Sequence, residues 1–277
     1  MCLRAPRRAA RANTFSFTES SMKFRLGVVV AGVLLAVTAC GGSSSGSTSM
    51  PPVSNGTARV RFADGAPELE APINGVPQDI CASASLPCYL QVNGQTVTSL
   101  FAYGSATEFL NVTPGTLSLV ARDEDGYAVG PLKSAQLSAG KRYTLIVVGS
   151  YPHYRVLTFE EPASAKGKAQ LSLYEASPSV PSADFGSFTA SSHSGFKQLG
   201  SAKLGDVVTV SLGAKVSNFG GYAGQGKKPF AHGDVTLASV NTFDKDNVLP
   251  FHNATRFSLF LFDVKSGSGP VFGSLDE

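Results

Sequence analysis

Beyond residue 57 apolar and polar positions alternate along the chain. Arg59-Val60-Arg61-Phe62 switches with period two, and short runs of similar character recur at 117–120, 142–148, 155–159, 171–174, 206–212, 235–240 and 257–264. Each run is rich in Val, Leu, Phe, Tyr or Thr, and Gly, Pro, Asn or Asp separates it from the next, as in strands divided by turns. Asn93-Gly94, Pro114-Gly115 and Asp125-Gly126 read as tight turns. No window of about a dozen residues in this part holds a helical period. The pattern predicts an all-β protein made of two tandem immunoglobulin-like antiparallel β-sandwich domains, over residues 58–162 and 163–277.

The chain before residue 58 is patterned differently. Lys23 and Arg25 precede an apolar run at 26–37, which ends in Val37-Thr38-Ala39-Cys40. A membrane-spanning helix needs about 20 apolar residues, so this run has the size of a signal-peptide core instead. Val37-Thr38-Ala39-Cys40 resembles the bacterial lipobox. That resemblance implies cleavage after residue 39 and lipidation of Cys40. Residues 1–39 are then the signal peptide, with Met22 as the expected start. Residues 40–57, rich in Gly and Ser with Pro51-Pro52, are a flexible linker between the anchor and the folded part.

Excluding the signal changes the reading of charge. The chain has 23 basic and 20 acidic residues; Arg4, Arg7, Arg8, Arg11, Lys23, Arg25 and Glu19 all precede Cys40, so 17 against 19 remain. The surviving part is slightly acidic and offers no support for a nucleic-acid partner. With Cys2 and Cys40 set aside, Cys81 and Cys88 remain. An exported protein favours a disulfide between them; a redox-active pair and a thiolate metal site are the alternatives.

The chain also repeats. Ala58-Arg-Val-Arg-Phe-Ala-Asp-Gly-Ala-Pro67 aligns with Ala169-Gln-Leu-Ser-Leu-Tyr-Glu-Ala-Ser-Pro178, after which Gly75 falls opposite Gly186. The correspondence then fades, with Gly205-Asp-Val-Val reached sooner than Gly115-Thr-Leu-Ser. Tyr89-Leu-Gln-Val-Asn-Gly94, Tyr103-Gly104-Ser105, Val112-Thr-Pro-Gly115, Leu137-Ser-Ala-Gly-Lys-Arg-Tyr-Thr144 and Val147-Val-Gly149 resemble the domain-of-unknown-function family 4397. The likeness is good over 58–149 and weak over 169–263, and 81–88 is where the first copy departs from the family pattern. It implies exported β-sandwich modules, often lipid-anchored and duplicated. No activity, cofactor or catalytic residue comes with it.

Candidate chemistry is sparse. Gly42-Ser43-Ser44-Ser45-Gly46 has the letters of a hydrolase elbow, but it lies in the linker without the strand and helix an elbow needs. The run Gly221 to Lys228 is one residue short of a phosphate-binding loop: Lys228 stands where the magnesium-binding hydroxyl belongs, and Pro229 opposes the following helix. It reads as a flexible glycine loop with two basic tips, so no nucleotide is expected. Asp123-Glu124-Asp125-Gly126 and Asp244-Lys-Asp246-Asn247 read as charged turns, since neither reaches the distal Glu of a calcium loop. His153, His193, His232 and His252 are scattered. Asp64 and Glu175 hold equivalent places in the repeat and read as turn caps. Phe219, Tyr222, Phe230, Phe243 and Phe251 gather in the Gly-rich second half. Phe219, Tyr222, Lys227, Lys228, Phe230 and His232 are the candidate binding surface, with core or loop anchoring as the alternative role for the aromatics.

The leading expectation is a non-catalytic, lipid-anchored protein of the cell envelope, on the periplasmic leaflet of the outer membrane. It would present two β-sandwiches for protein contact or structural support, with no cofactor or metal. Its partners would be the membrane, through Cys40, and an envelope protein. The alternatives are a lipoprotein that binds a glycan or peptide on second-domain loops, and a hydrolase with dispersed catalytic residues.

Overall fold

The computed structural model describes residues 56–81, 88–163, 169–189, 194–212, 221–225, 228–233, 256–264 and 267–275. They fall in one compact unit, Ser49–Glu277. All their regular structure is strand. The first half contributes β1 (Ala58–Asp64), β2 (Glu70–Ile73), β3 (Val76–Asp79), β4 (Cys88–Val92), β5 (Gln95–Phe101), β6 (Leu110–Val112), β7 (Gly115–Arg122), β8 (Ala128–Leu137), β9 (Arg142–Ser150) and β10 (His153–Glu160). The second contributes β11 (Ala169–Glu175), β12 (Ser182–Thr189), β13 (Ser194–Lys203), β14 (Val207–Leu212), β15 (Gly221–Gln225), β16 (Lys228–Gly233), β17 (Arg256–Val264) and β18 (Gly267–Leu275). Of the strands expected from the sequence, 235–240 lies outside the described residues.

Each half is a two-sheet sandwich. The first has sheets ordered β10-β9-β1-β6 and β5-β4-β7-β8, with β2-β3 as a separate hairpin; the second has β18-β17-β11-β14 and β13-β12-β15-β16. Pairing is antiparallel except for one pair in each half, β1 with β9 and β11 with β17. The antiparallel expectation therefore holds for every described pair but these two. A parallel pair cannot be joined by a tight turn, so the chain must cross over between the strands. Between β1 and β9 that crossover takes in the whole opposite sheet, together with the β2-β3 hairpin and β6.

The two orders match strand for strand, so the repeat is structural. Its equivalence reaches the backbone. Gly65 N–H donates to Val147 O (2.9 Å) where Ala176 N–H donates to Leu261 O (3.1 Å). Gly104 N–H donates to Asp64 O (2.8 Å) where Gly205 N–H donates to Glu175 O (2.9 Å). The match of Gly75 to Gly186 does not hold. Gly75 sits at φ 79° in the β2-β3 turn, whereas Gly186 lies within β12. The β2-β3 hairpin has no counterpart strand pair among the described residues between β11 and β12, and β14 corresponds to β6 instead of β7. The correspondence fades in sequence because of that hairpin.

Burial explains the runs at β9 and β17. Val60, Phe62, Leu145 and Val147 pack with Leu90, Leu117 and Leu119 in the first core, and Leu171, Leu173, Leu259 and Leu261 pack with Phe185, Ala202 and Ala223 in the second. The alternate residues of the same strands (Ala63, Ile146 and Val148, with Tyr174, Phe260 and Phe262) form a third cluster between the halves. Strands covered on both faces read as continuous apolar runs, which is why Thr144 to Val148 and Phe257 to Phe262 lose the alternation seen elsewhere.

Candidate functional site

The sequence-derived binding surface falls partly outside the described residues. Phe219 and Lys227 lie outside the described residues. Tyr222 and His232 are direct cross-strand partners of β15 and β16, and Lys228 opens β16 opposite Gln225. The expected glycine loop is therefore largely a hairpin. Phe230 is half-buried against the second core. Phe243, Phe251, His193, His252, Cys40, Gly42 to Gly46 and Asp244 to Asn247 also lie outside the described residues. His153 is exposed at the start of β10.

Cys81 and Cys88 form a disulfide with Cα atoms 5.1 Å apart. It ties the end of the β2-β3 hairpin to the start of β4. Asp123 Oδ1 accepts from Tyr127 N–H at 2.8 Å, closing the β7-β8 turn as a charged turn should. Among the described residues no group of three or more His, Cys, Asp or Glu is placed to hold a metal ion.

Asp64 and Glu175 are turn caps, each buried. Asp64 Oδ1 accepts from Ala66 N–H (3.0 Å) and Glu175 Oε1 from Ser177 N–H (2.9 Å), two residues on in both cases. Burial pushes both acids up to about 8, against the pull of those backbone N–H groups; Asp79 adds to the rise at Asp64, and Asp263 at Glu175. The second oxygen of Glu175 is buried without a hydrogen-bond partner, as a protonated carboxyl tolerates better than a carboxylate.

The densest polar arrangement sits between the halves, where the sequence reading placed nothing. Arg61 projects from β1 away from its own core and is buried with Glu161, 3.3 Å away. Its Nε donates to Thr144 Oγ1 at 2.8 Å, and a terminal nitrogen donates to Tyr174 OH at 3.2 Å and to Ser258 Oγ. The Thr144 and Tyr174 hydroxyls in turn donate hydrogen bonds to Glu161 Oε1, the latter at 2.5 Å. The Arg61 guanidinium also lies 4.8 Å from the Phe109 ring centre and 5.1 Å from that of Phe260. Burial works against ionisation of Glu161, but Arg61, the Thr144 and Tyr174 hydroxyls and Arg142 together hold it below the ordinary glutamate range. Close by, Arg256 donates to Pro162 O at 2.6 Å. At the other end of the same seam Tyr103 OH donates to Asp263 O at 2.6 Å, and the Asp263 carboxylate accepts from Ser177 Oγ and Ser179 N–H.

This arrangement can hold two sandwiches together. It offers no exposed nucleophile with a base beside it: Thr144 and Tyr174 are buried and spend their protons on Glu161.

Fold and seam define the class: a duplicated all-β protein whose halves are joined by a buried polar and aromatic interface. Residues 80–186 match the family model described as Domain of unknown function (DUF4397). That is the family which the motifs between Tyr89 and Gly149 resemble. The matched segment starts just before β4 and ends within β12, the counterpart of β4, so it spans one period of the structural repeat out of phase with the two halves. No curated protein matches the chain.

Proposed function

We propose that this protein is a lipid-anchored component of the bacterial cell envelope. In this reading Cys40 carries the acyl chains, residues 1–39 are removed, and the Gly/Ser linker spaces a rigid pair of β-sandwiches from the periplasmic leaflet of the outer membrane. Its role is non-catalytic protein contact or structural support. One observation carries the reading: Val37-Thr38-Ala39-Cys40 ends an apolar run of signal-peptide length and is followed by Gly41-Gly42 and a serine-rich linker up to the first strand at Ala58. The buried seam supports it, because a spacer or docking module needs a fixed shape. A single acyl chain binds membranes marginally, so stable attachment takes more than one, as the lipobox resemblance implies.

Fractionation of cells expressing Cys40→Ser tests the anchor. The variant is expected to be released from membranes or to keep its signal uncleaved. A correctly cleaved Cys40→Ser protein that still sediments with membranes overturns the reading.

A further inference from the structure

The large apolar side chains exposed among the described residues are Val76, Leu100, Tyr127 and Tyr151. Leu100, Tyr127 and Tyr151 share one end of the first sandwich, and the hairpin that carries Val76 is rooted there. β1 and β9 are parallel and both finish there, so Tyr151 in the β9-β10 turn lies beyond the end of β1. Tyr154 OH donates to Glu68 O and accepts from Glu70 N–H, which fixes the base of the β2-β3 hairpin, the hairpin that carries Val76, against the start of β10. Ala135 of β8 donates to Thr158 of β10, so these two strands run down together from that end and Tyr127 begins one of them. Leu100 sits one residue before Phe101, which pairs with Cys88 at the start of β4, beside the Tyr89–Arg122 pair that leads into the Tyr127 turn. The chain enters the sandwich at the opposite end, where Gly140 N–H donates to Thr57 O.

Apolar side chains scattered over a surface need no explanation, but their collection on the hairpins of one end does. Tyrosine in particular supplies contact area at low entropy cost and is enriched at protein interfaces. The rim is acidic: Asp123, Glu124 and Asp125 precede Tyr127, and Glu68, Glu70 and Asp79 lie at the base of the β2-β3 hairpin. Among basic groups, Arg122 is turned onto Gly126 O, and His153 and Arg155 stand on β10.

We propose that this end is a protein-docking face for a Lys/Arg-bearing segment of an envelope partner that carries an apolar anchor residue between its charges. The acidic rim steers such a segment and disfavours anionic lipid headgroups. The proposal rests on the anchored-module reading and names the surface through which that module makes contact.

The test places a photo-crosslinking amino acid singly at Tyr127, Tyr151 and Leu100, with Ser138 at the opposite end as control, in the full-length protein in intact cells. Expected are adducts to one protein from the three positions, none from Ser138, and a crosslinked peptide with net positive charge. Replacing Tyr151 and Val76 by Ser is expected to lower the Tyr127 adduct several-fold. The proposal fails with no protein adduct at the three positions, equal adducts from Ser138, an acidic contact peptide, or adducts to lipid alone. Fractionation of Cys40→Ser reports on the anchor separately, so a lost anchor and a lost docking face are told apart.

Discussion

Removing the carboxylate of Glu161 probes the seam most directly. Glu161→Ala takes the negative charge from beside a guanidinium that is buried among Thr144, Tyr174, Phe260 and Ser258. It also leaves the Thr144 and Tyr174 hydroxyls without the acceptor they now share. Breaking one side of a buried ion pair costs about 3–5 kcal/mol. Glu161→Gln keeps an acceptor oxygen for the two hydroxyls and loses only the charge. Its cost should be smaller, about 1–3 kcal/mol, the scale of a weakened hydrogen bond to a charged group. Replacing the pair together, Arg61→Met with Glu161→Leu, removes both desolvation penalties but still takes the shared acceptor from the Thr144 and Tyr174 hydroxyls, so it should recover only part of the Glu161→Ala loss.

The assay is urea unfolding of the full-length protein in detergent, followed by tyrosine fluorescence, since the chain has no Trp. The order of stability is expected to be Ala lowest, with Gln and the double exchange both between it and wild type. A Glu161→Ala cost below about 1 kcal/mol, the level of an exposed pair, would refute the buried seam. The sign of the pH dependence follows from the same geometry. Glu161 is held below its ordinary value in the folded protein, so its contribution is present above about 4.5 and is lost as pH falls through the folded value.

Two further predictions concern the turn caps and the seam's closest approach. Asp64 and Glu175, raised to about 8 in the fold, act in the opposite sense to Glu161: their stabilising contribution is full below their ordinary values and is lost as pH rises from about 4 to about 8. Asp64→Asn with Glu175→Gln should flatten the decline between pH 5 and 8 in pH-resolved urea unfolding; an unchanged slope would show that neither acid is held neutral. Gly65 has no room for a side chain, because a Cβ there would lie 2.6 Å from the Phe262 ring. Gly65→Ala should cost about 1–3 kcal/mol, the scale of overpacking, and Phe262→Leu in the same protein should recover part of it. Equal losses in the Gly65→Ala single variant and in the double, each against its own parent, would place the strain elsewhere.

The strands and the repeat were legible because both are local signals. Period-two alternation and glycine punctuation mark each strand wherever it ends up, and Asp64 and Glu175 betray the duplication because both halves need a cap at the same turn. The disulfide was legible from the cysteine count, read with the expectation of export. The parallel pairs were not, since nothing in Arg142 to Val148 says that its neighbour is β1 and not β8. The seam was missed for a related reason. Arg59-Val60-Arg61-Phe62 looks like a strand with one wet face, and only the fold shows that Arg59 is partly exposed while Arg61 is buried. The available clue was the loss of alternation in Thr144 to Val148 and Phe257 to Phe262, which calls for a second covering layer outside each sandwich. The glycine-rich stretch from Gly221 was misread as a loop because composition outweighed register: Tyr222 pairs with His232 and Gly221 with Gly233 across a hairpin that has little side-chain pattern to announce it.

The seam also explains how two equivalent halves can differ. In register, Arg61 and Thr144 on β1 and β9 correspond to Ser172 and Ser258 on β11 and β17, so the two copies face each other through the same strands with different residues. One copy supplies the cation and the other a small hydroxyl that fits against it. The same asymmetry appears at the other end, where Gly65 makes room for Phe262 while its counterpart Ala176 keeps a methyl group. Were the two faces identical, position 172 would carry a second buried arginine and position 258 a threonine in place of the serine that now accepts from Arg61. Divergence at these few positions lets a duplicated sandwich bury one shared seam. It also leaves the β2-β3, β7-β8 and β9-β10 turns free to specialise.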